Sequence, residues 1–193
     1  MTTFADSRLN EVTVADTYRA KDIEMAAKVD TVNRLVLVTG AIDTNEHSIL
    51  VRIELPSAGR WQVIKSETNL TDRSWTAWQV SLGEGTTVAG DAAVQNLSRQ
   101  FEKVYVPEDR SRITFYGGEV RPGEAILKMY TLDAKVPRIV MAHARELDEG
   151  DDEPDEEVPA PPEESELPEA RIRRGLPAKP YIEVFLPVTL IDA

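Results

Sequence analysis

The chain has 193 residues, 34 Asp plus Glu against 22 Lys plus Arg, and no Cys. That length carries a core large enough to fold unaided, and the missing cysteines exclude disulfides, thiolate metal sites and cysteine nucleophiles. The sequence holds no run of ~20 apolar residues able to span a bilayer as a helix, and Met1–Asp6 lacks the basic and apolar regions of a secretory signal, so the expectation is a cytoplasmically made protein with no membrane partner.

In chain order, Asp16 or Thr17 can cap a short helix in which Tyr18, Asp22, Met25 and Val29 share one face. From Val32 the pattern turns to short β-prone runs. Leu35–Val38 reads as a buried strand, and Ile49, Val51, Ile53 and Leu55 alternate with Leu50, Arg52 and Glu54 as a half-buried one. Trp61–Lys65 follows the turn Pro56–Gly59, Ser66–Ser74 is polar, and Trp75–Leu82 alternates again with Trp78, Val80 and Leu82 on one face. Asp91 can cap a second helix to Lys103, with Val94, Leu97 and Phe101 at helical spacing. Val104–Val106, Arg112–Tyr116, Ala125–Leu132 and Val136–Ala142 complete the strands. Short strands with turn signals at roughly ten-residue spacing predict a mainly β body, a sandwich or barrel with one or two short helices.

The acidity is local. Glu146–Glu169 holds 13 acidic residues, no Lys or Arg and five of the 12 prolines; the rest of the chain has 21 acidic and 22 basic residues. Such a stretch has no apolar face and repels itself, so it reads as a tether. At ~3.1 Å per residue, its 24 residues could reach about 70 Å. Beyond it lie a basic patch, Arg171, Arg173 and Arg174, and an apolar β-prone arm, Tyr181–Ile191. Left free, that arm would aggregate, so it is expected to dock as a strand, on another subunit or, as the alternative, on its own body. Ile182, Val184, Leu186 and Val188 form one wholly apolar face, with Tyr181, Glu183 and Phe185 on the other; Pro187, lacking a backbone donor, predicts an edge strand. The expected organisation is an N-terminal segment with a short helix over residues 1–31, a β-sandwich body over 32–145, the tether over 146–170, and the basic patch and docking strand over 171–193.

Reaction chemistry is hard to place. His47 lies in a polar turn and His143 at the end of a strand, neither with metal-ligand spacing. The acidic run lacks the alternating acids and closing Glu of a calcium loop. Gly83-Glu84-Gly85 and Gly117-Gly118 lack the Lys and helix start of a phosphate-binding loop, and no serine-hydrolase elbow is present. Arg171, Arg173 and Arg174, with Lys179, beside thirteen acids make a poor nucleic-acid footprint. No catalytic residue, metal or cofactor is therefore assigned. Trp61 and Trp75 offer an alternative, a surface platform on which a carbohydrate-type ligand could stack.

The expected function is a non-enzymatic structural subunit of a multi-subunit assembly. Its docking residues are Tyr181, Ile182, Val184, Phe185, Leu186 and Val188, with Arg171, Arg173 and Arg174 pairing with carboxylates of a partner; its partners are copies of itself or other subunits. A Cys-free β body with an extended arm resembles, in general layout, the accessory structural proteins of tailed-bacteriophage virions, such as capsid decoration, neck or tail subunits. That resemblance implies incorporation into a virion and carries over no residue roles.

Overall fold

The computed structural model describes residues 17–20, 22–45, 48–91, 96–148, 181–186 and 188–191. They form fourteen strands: β1 (Thr17–Ala20), β2 (Ile23–Asp30), β3 (Leu35–Ile42), β4 (Ser48–Glu54), β5 (Gly59–Asn69), β6 (Trp75–Leu82), β7 (Thr86–Val88), β8 (Leu97–Ser98), β9 (Phe101–Tyr105), β10 (Arg112–Val120), β11 (Ala125–Ala134), β12 (Arg138–Leu147), β13 (Tyr181–Leu186) and β14 (Val188–Ile191). One sheet has the order β1-β2-β3-β5-β11-β7, with β14 beside β2 and β8 beside β11; the other runs β13-β4-β12-β6-β10-β9. Both are mixed, since β3 with β5, β4 with β13 and β2 with β14 run parallel. The two sheets close on one core, with Val63, Tyr130 and Leu132 from the first and Val51, Trp78, Phe115 and Met141 from the second. The body is a mainly β, sandwich-like fold, as its strand spacing predicts.

The two expected helices are absent among the described residues. The first is replaced by β1 and β2. Ile23, Met25, Ala27 and Val29 are buried in turn while Glu24 and Lys28 are exposed, so the period is two and the weaker helical spacing loses to it. Asp30 then turns the chain: its carboxylate accepts the backbone N–H groups of Val32 and Asn33 at 3.0 and 2.9 Å. Among the described residues the body thus reaches back to Thr17, ahead of the expected start at residue 32. In place of the second helix, β8 runs along β11 and β9 along β10, so the chain crosses from one sheet to the other between Ser98 and Phe101. Side-chain oxygens of Asn96 and Gln100 accept the N–H groups of Thr131 and Leu127 on β11, holding the crossing in place. At the far end, β12 continues to Leu147, so Glu146 belongs to a strand; the expected tether from Glu149 onward lies outside the described residues.

The C-terminal arm joins both sheets. β13 pairs with β4 from Tyr181 opposite Ser48 to Leu186 opposite Ile53. The chain then passes to the other sheet, where β14 pairs with β2 from Val188 opposite Ala27 to Ile191 opposite Asp30. β1 covers the preceding part of the same edge, Ile23–Ala26. Val184 and Leu186 are buried, Ile182 and Val188 pack partly against the core, and Glu183 and Phe185 are exposed. β13 is the outermost strand of its sheet. The arm therefore contributes to the core, and Leu186→Ala should cost about 2–4 kcal/mol, whereas Phe185→Ala should change stability by less than ~0.5 kcal/mol. Urea unfolding measures both; an unchanged midpoint for Leu186→Ala would show that the arm does not pack.

Candidate functional site

Two features stand out once the chain is folded: a charged network inside the sandwich and the arm at its edge. The network begins on β5, where the inward positions run Trp61, Val63, Lys65, Glu67 and Asn69. Strict alternation carries three polar side chains into the core on the same face as two apolar ones. β11 does the same with Lys128 between Ile126 and Tyr130, and Lys128 lies opposite Lys65 in the ladder. From the facing sheet, β12 contributes His143.

Glu67 bridges both lysines. Its Oε1 lies 2.7 Å from Lys65 Nζ and its Oε2 2.8 Å from Lys128 Nζ. Lys65 Nζ also reaches His143 Nε2 at 2.7 Å; an ammonium can only donate, so His143 accepts there. Lys128 Nζ sits 3.3 Å from the centre of the Trp78 ring, and the Arg145 guanidinium lies 5.9 Å from the same centre. Arg145 donates from Nη2 to the Thr44 carbonyl oxygen at 2.9 Å, which ties the network to the loop after β3. Tyr130 Oη donates to Met141 Sδ at 3.2 Å.

Burial sets the charges. It pushes Lys128 down to about 7 against the pull of Glu67, and lowers Lys65 and His143 as well, so His143 is neutral at pH 7. Burial opposes ionisation of Glu67 too, but the ammoniums of Lys128 and Lys65 outweigh it and hold the carboxyl below its ordinary range. Arg145 is pushed down to about 10 by burial. A poised lysine, a carboxylate, a neutral imidazole and a phenol are groups suited to proton transfer. Lys65, Glu67, Lys128, Tyr130 and His143 nevertheless have essentially no exposed surface, so a substrate would have to part the sheets to meet them. In this state the cluster is an internal ionic lock.

The described surface includes open clefts. One of about 530 Å³ is lined by Asp22, Asp43, Thr44, Asn45 and Asp72 among others. Its aspartates do not converge: among the described residues, no three His, Asp or Glu side chains could hold a metal ion.

The structure relocates several residues singled out in the sequence. Trp61 and Trp75 do not form a platform, since they are 1% and 0% exposed. The Trp61 indole N–H donates to the Ser57 carbonyl at 3.1 Å under the Arg34 guanidinium. Trp75 faces inward because both ladders of β6 are irregular at this end, between Glu146 and Leu147 and between Tyr116 and Val120, which breaks the alternation that would place it opposite Trp78. The two indole rings instead pack at 5.2 Å. His143 is not at a strand end without a partner; it lies mid-strand against Lys65. His47, Arg171, Arg173 and Arg174 lie outside the described residues, and of Tyr181 only the strand position is described. The arm residues Ile182, Val184, Leu186 and Val188 turn toward the chain's own core, and Phe185 lies 5.2 Å from the Arg52 guanidinium on β4.

A family model describing a family of unknown function, DUF6423, matches residues 25–192. The chain belongs to this family. The match runs from β2 to the end of β14, so the body, the intervening acidic stretch and the arm fall within one family unit. No curated protein and no solved structure matches the chain.

The network has a pH signature. Lys128 titrates near 10.5 when unfolded and near 7 when folded, so between those values the unfolded chain holds a proton that the folded one lacks. Stability therefore rises with pH across that window, and lowered His143 extends the same slope downward below its ordinary 6.5. Thermal unfolding should show a melting temperature that climbs from pH 6 to pH 9, and Lys128→Met should flatten the upper part of the rise. A wild-type profile that is level or falling between pH 7 and 9 would contradict the burial of this lysine.

Proposed function

We propose that the protein is a non-enzymatic structural subunit that joins a larger assembly by adding its C-terminal arm to a sheet edge. One observation carries this reading. β12 ends at Leu147 on the side of the sheet where β13 begins at Tyr181, with only β4 between them. Two strand spacings of about 4.8 Å and an overhang of a few residues put those ends on the order of 15–20 Å apart. Six residues would close that gap, yet 32 lie between Asp148 and Tyr181, and at ~3.1 Å each they could extend roughly 100 Å. The arm is thus an independent strand on a long lead.

The interior of the body supports the same reading. The titratable groups best suited to catalysis are sealed inside it, and the tryptophans that could have stacked on a sugar are core residues. Strand addition fits the arm: main-chain hydrogen bonds supply affinity, and the alternate side chains Ile182, Val184 and Leu186 fill places on the core side. The resemblance of layout to phage virion accessory proteins suggests one setting for such a subunit.

The test is exchange. A protease site replacing residues 158–163 allows the lead to be cut in the folded protein. The arm fragment should remain bound through gel filtration and be displaced by excess labelled peptide of residues 181–191. An arm that leaves on cleavage without shifting the body's unfolding midpoint, or that no peptide can replace, would contradict strand addition.

A further inference from the structure

Resting on that reading of the arm as a strand donor, we infer that its partner is a second copy of this chain, the two exchanging arms reciprocally. Four observations identify the partner. The arm matches two edges of this chain and no generic surface: six residues of β13 align with β4, and four of β14 with β2. Its side chains are fitted to those edges as well. Val184 and Leu186 fill the core beside Val51 and Ile53, and Phe185 lies under Arg52. Any other copy offers the same two edges, so the chain best matched to the arm is this one.

The third observation is reach. With 32 residues between Asp148 and Tyr181, the arm can cross to a neighbour without disturbing β12 or any other strand. The fourth is charge. Residues 149–169 carry 11 acidic side chains and no Lys or Arg. Like charges at that density favour an extended segment, which spans more than the roughly 15–20 Å back to the starting edge and suits a crossing to another body. Reciprocal exchange closes as a two-fold pair: each copy gives one arm and receives one, and every strand pairing seen within one chain is kept. Neither copy is left with an open edge at β4 and β2, so the pair does not propagate into a fibre.

Because the chain contains no cysteine, a single engineered disulfide reads the connection. Arg52 and Phe185 are paired across β4 and β13 and both point away from the core. Neighbouring strands bring such residues within the ~4.4–6.8 Å Cα separation that a disulfide accepts. The full-length chain carrying Arg52→Cys and Phe185→Cys is oxidised in its folded state and run on a non-reducing denaturing gel. Exchange predicts that most of the cross-linked protein migrates as a dimer of the 21.5 kDa chain. It also predicts a covalent heterodimer when separate Arg52→Cys and Phe185→Cys proteins are refolded together. Cross-linked monomer alone, with no heterodimer, would overturn the exchange while leaving strand addition intact. No cross-link of either kind would overturn strand addition itself.

Discussion

The architecture turns on the side of the sandwich where β4 ends one sheet and β2 lies near the end of the other. Ile49, Val51 and Ile53 on β4 and Ala27 and Val29 on β2 are all buried, yet among the described residues no further strand of the body covers their outer edges beyond the short β1. An open edge of that kind presents unpaired N–H and C=O groups beside apolar side chains, the combination that recruits other chains. The arm resolves this constraint at both sheets at once. β13 and β14 are parallel additions, and parallel neighbours cannot be made by a tight hairpin. The connection from β12 to β13 has only to step past β4, a gap that a few residues would close. The 32 residues between Asp148 and Tyr181 far exceed that gap.

Inside, the body accepts an expense that an all-apolar core avoids. Placing Lys65, Lys128 and Glu67 out of water costs several kcal/mol per ion before their attraction is counted. Glu67 offsets part of that by serving both ammoniums, and the Trp78 face takes up more of the Lys128 charge. Apolar residues of similar volume would often hold such a core as well. What the ions add is geometry. Glu67 fixes β5 to β11 within one sheet, and the Lys65–His143 contact fixes β5 against β12 in the other, so the network ties the register of one sheet to the position of its partner. Arg145 carries that linkage out to Thr44, at the end of the hairpin that contains β2. The edge that receives the arm is thereby connected to the rigid interior.

Much of the β body was legible in the sequence because period-two alternation is a direct image of a half-buried strand. Ile49–Leu55 and Ala125–Leu132 fold as that pattern predicts. The apolar face of the arm was legible for the same reason. The failures have physical causes. At Ile23–Val29, small Ala27 weakened the alternating signal, and Met25 and Val29 fit a helical spacing equally well; the waiting edge of β3 decided the outcome. Asn96–Phe101 crosses between sheets, which no local period encodes. Trp75 was misplaced because an irregular ladder shifts the parity of β6, a long-range event. The network was missed because Lys65 reads as the end of a short strand, while Glu67 and Asn69 fall in the polar stretch Ser66–Ser74. Their parity with Trp61 and Val63 was the available signal, as was a lone Lys128 on the apolar face of β11.

The central claim is that residues 181–186 are an integral strand of the sheet, held by the β4 edge. Hydrogen–deuterium exchange on the full-length protein tests it most directly, since main-chain pairing is what exchange reports. The account predicts that the β13 amides facing β4 exchange as slowly as those of β4, and that Val184→Asp releases both together. Amides of β13 exchanging at the rate of an unstructured peptide, beside a protected β4, would contradict it.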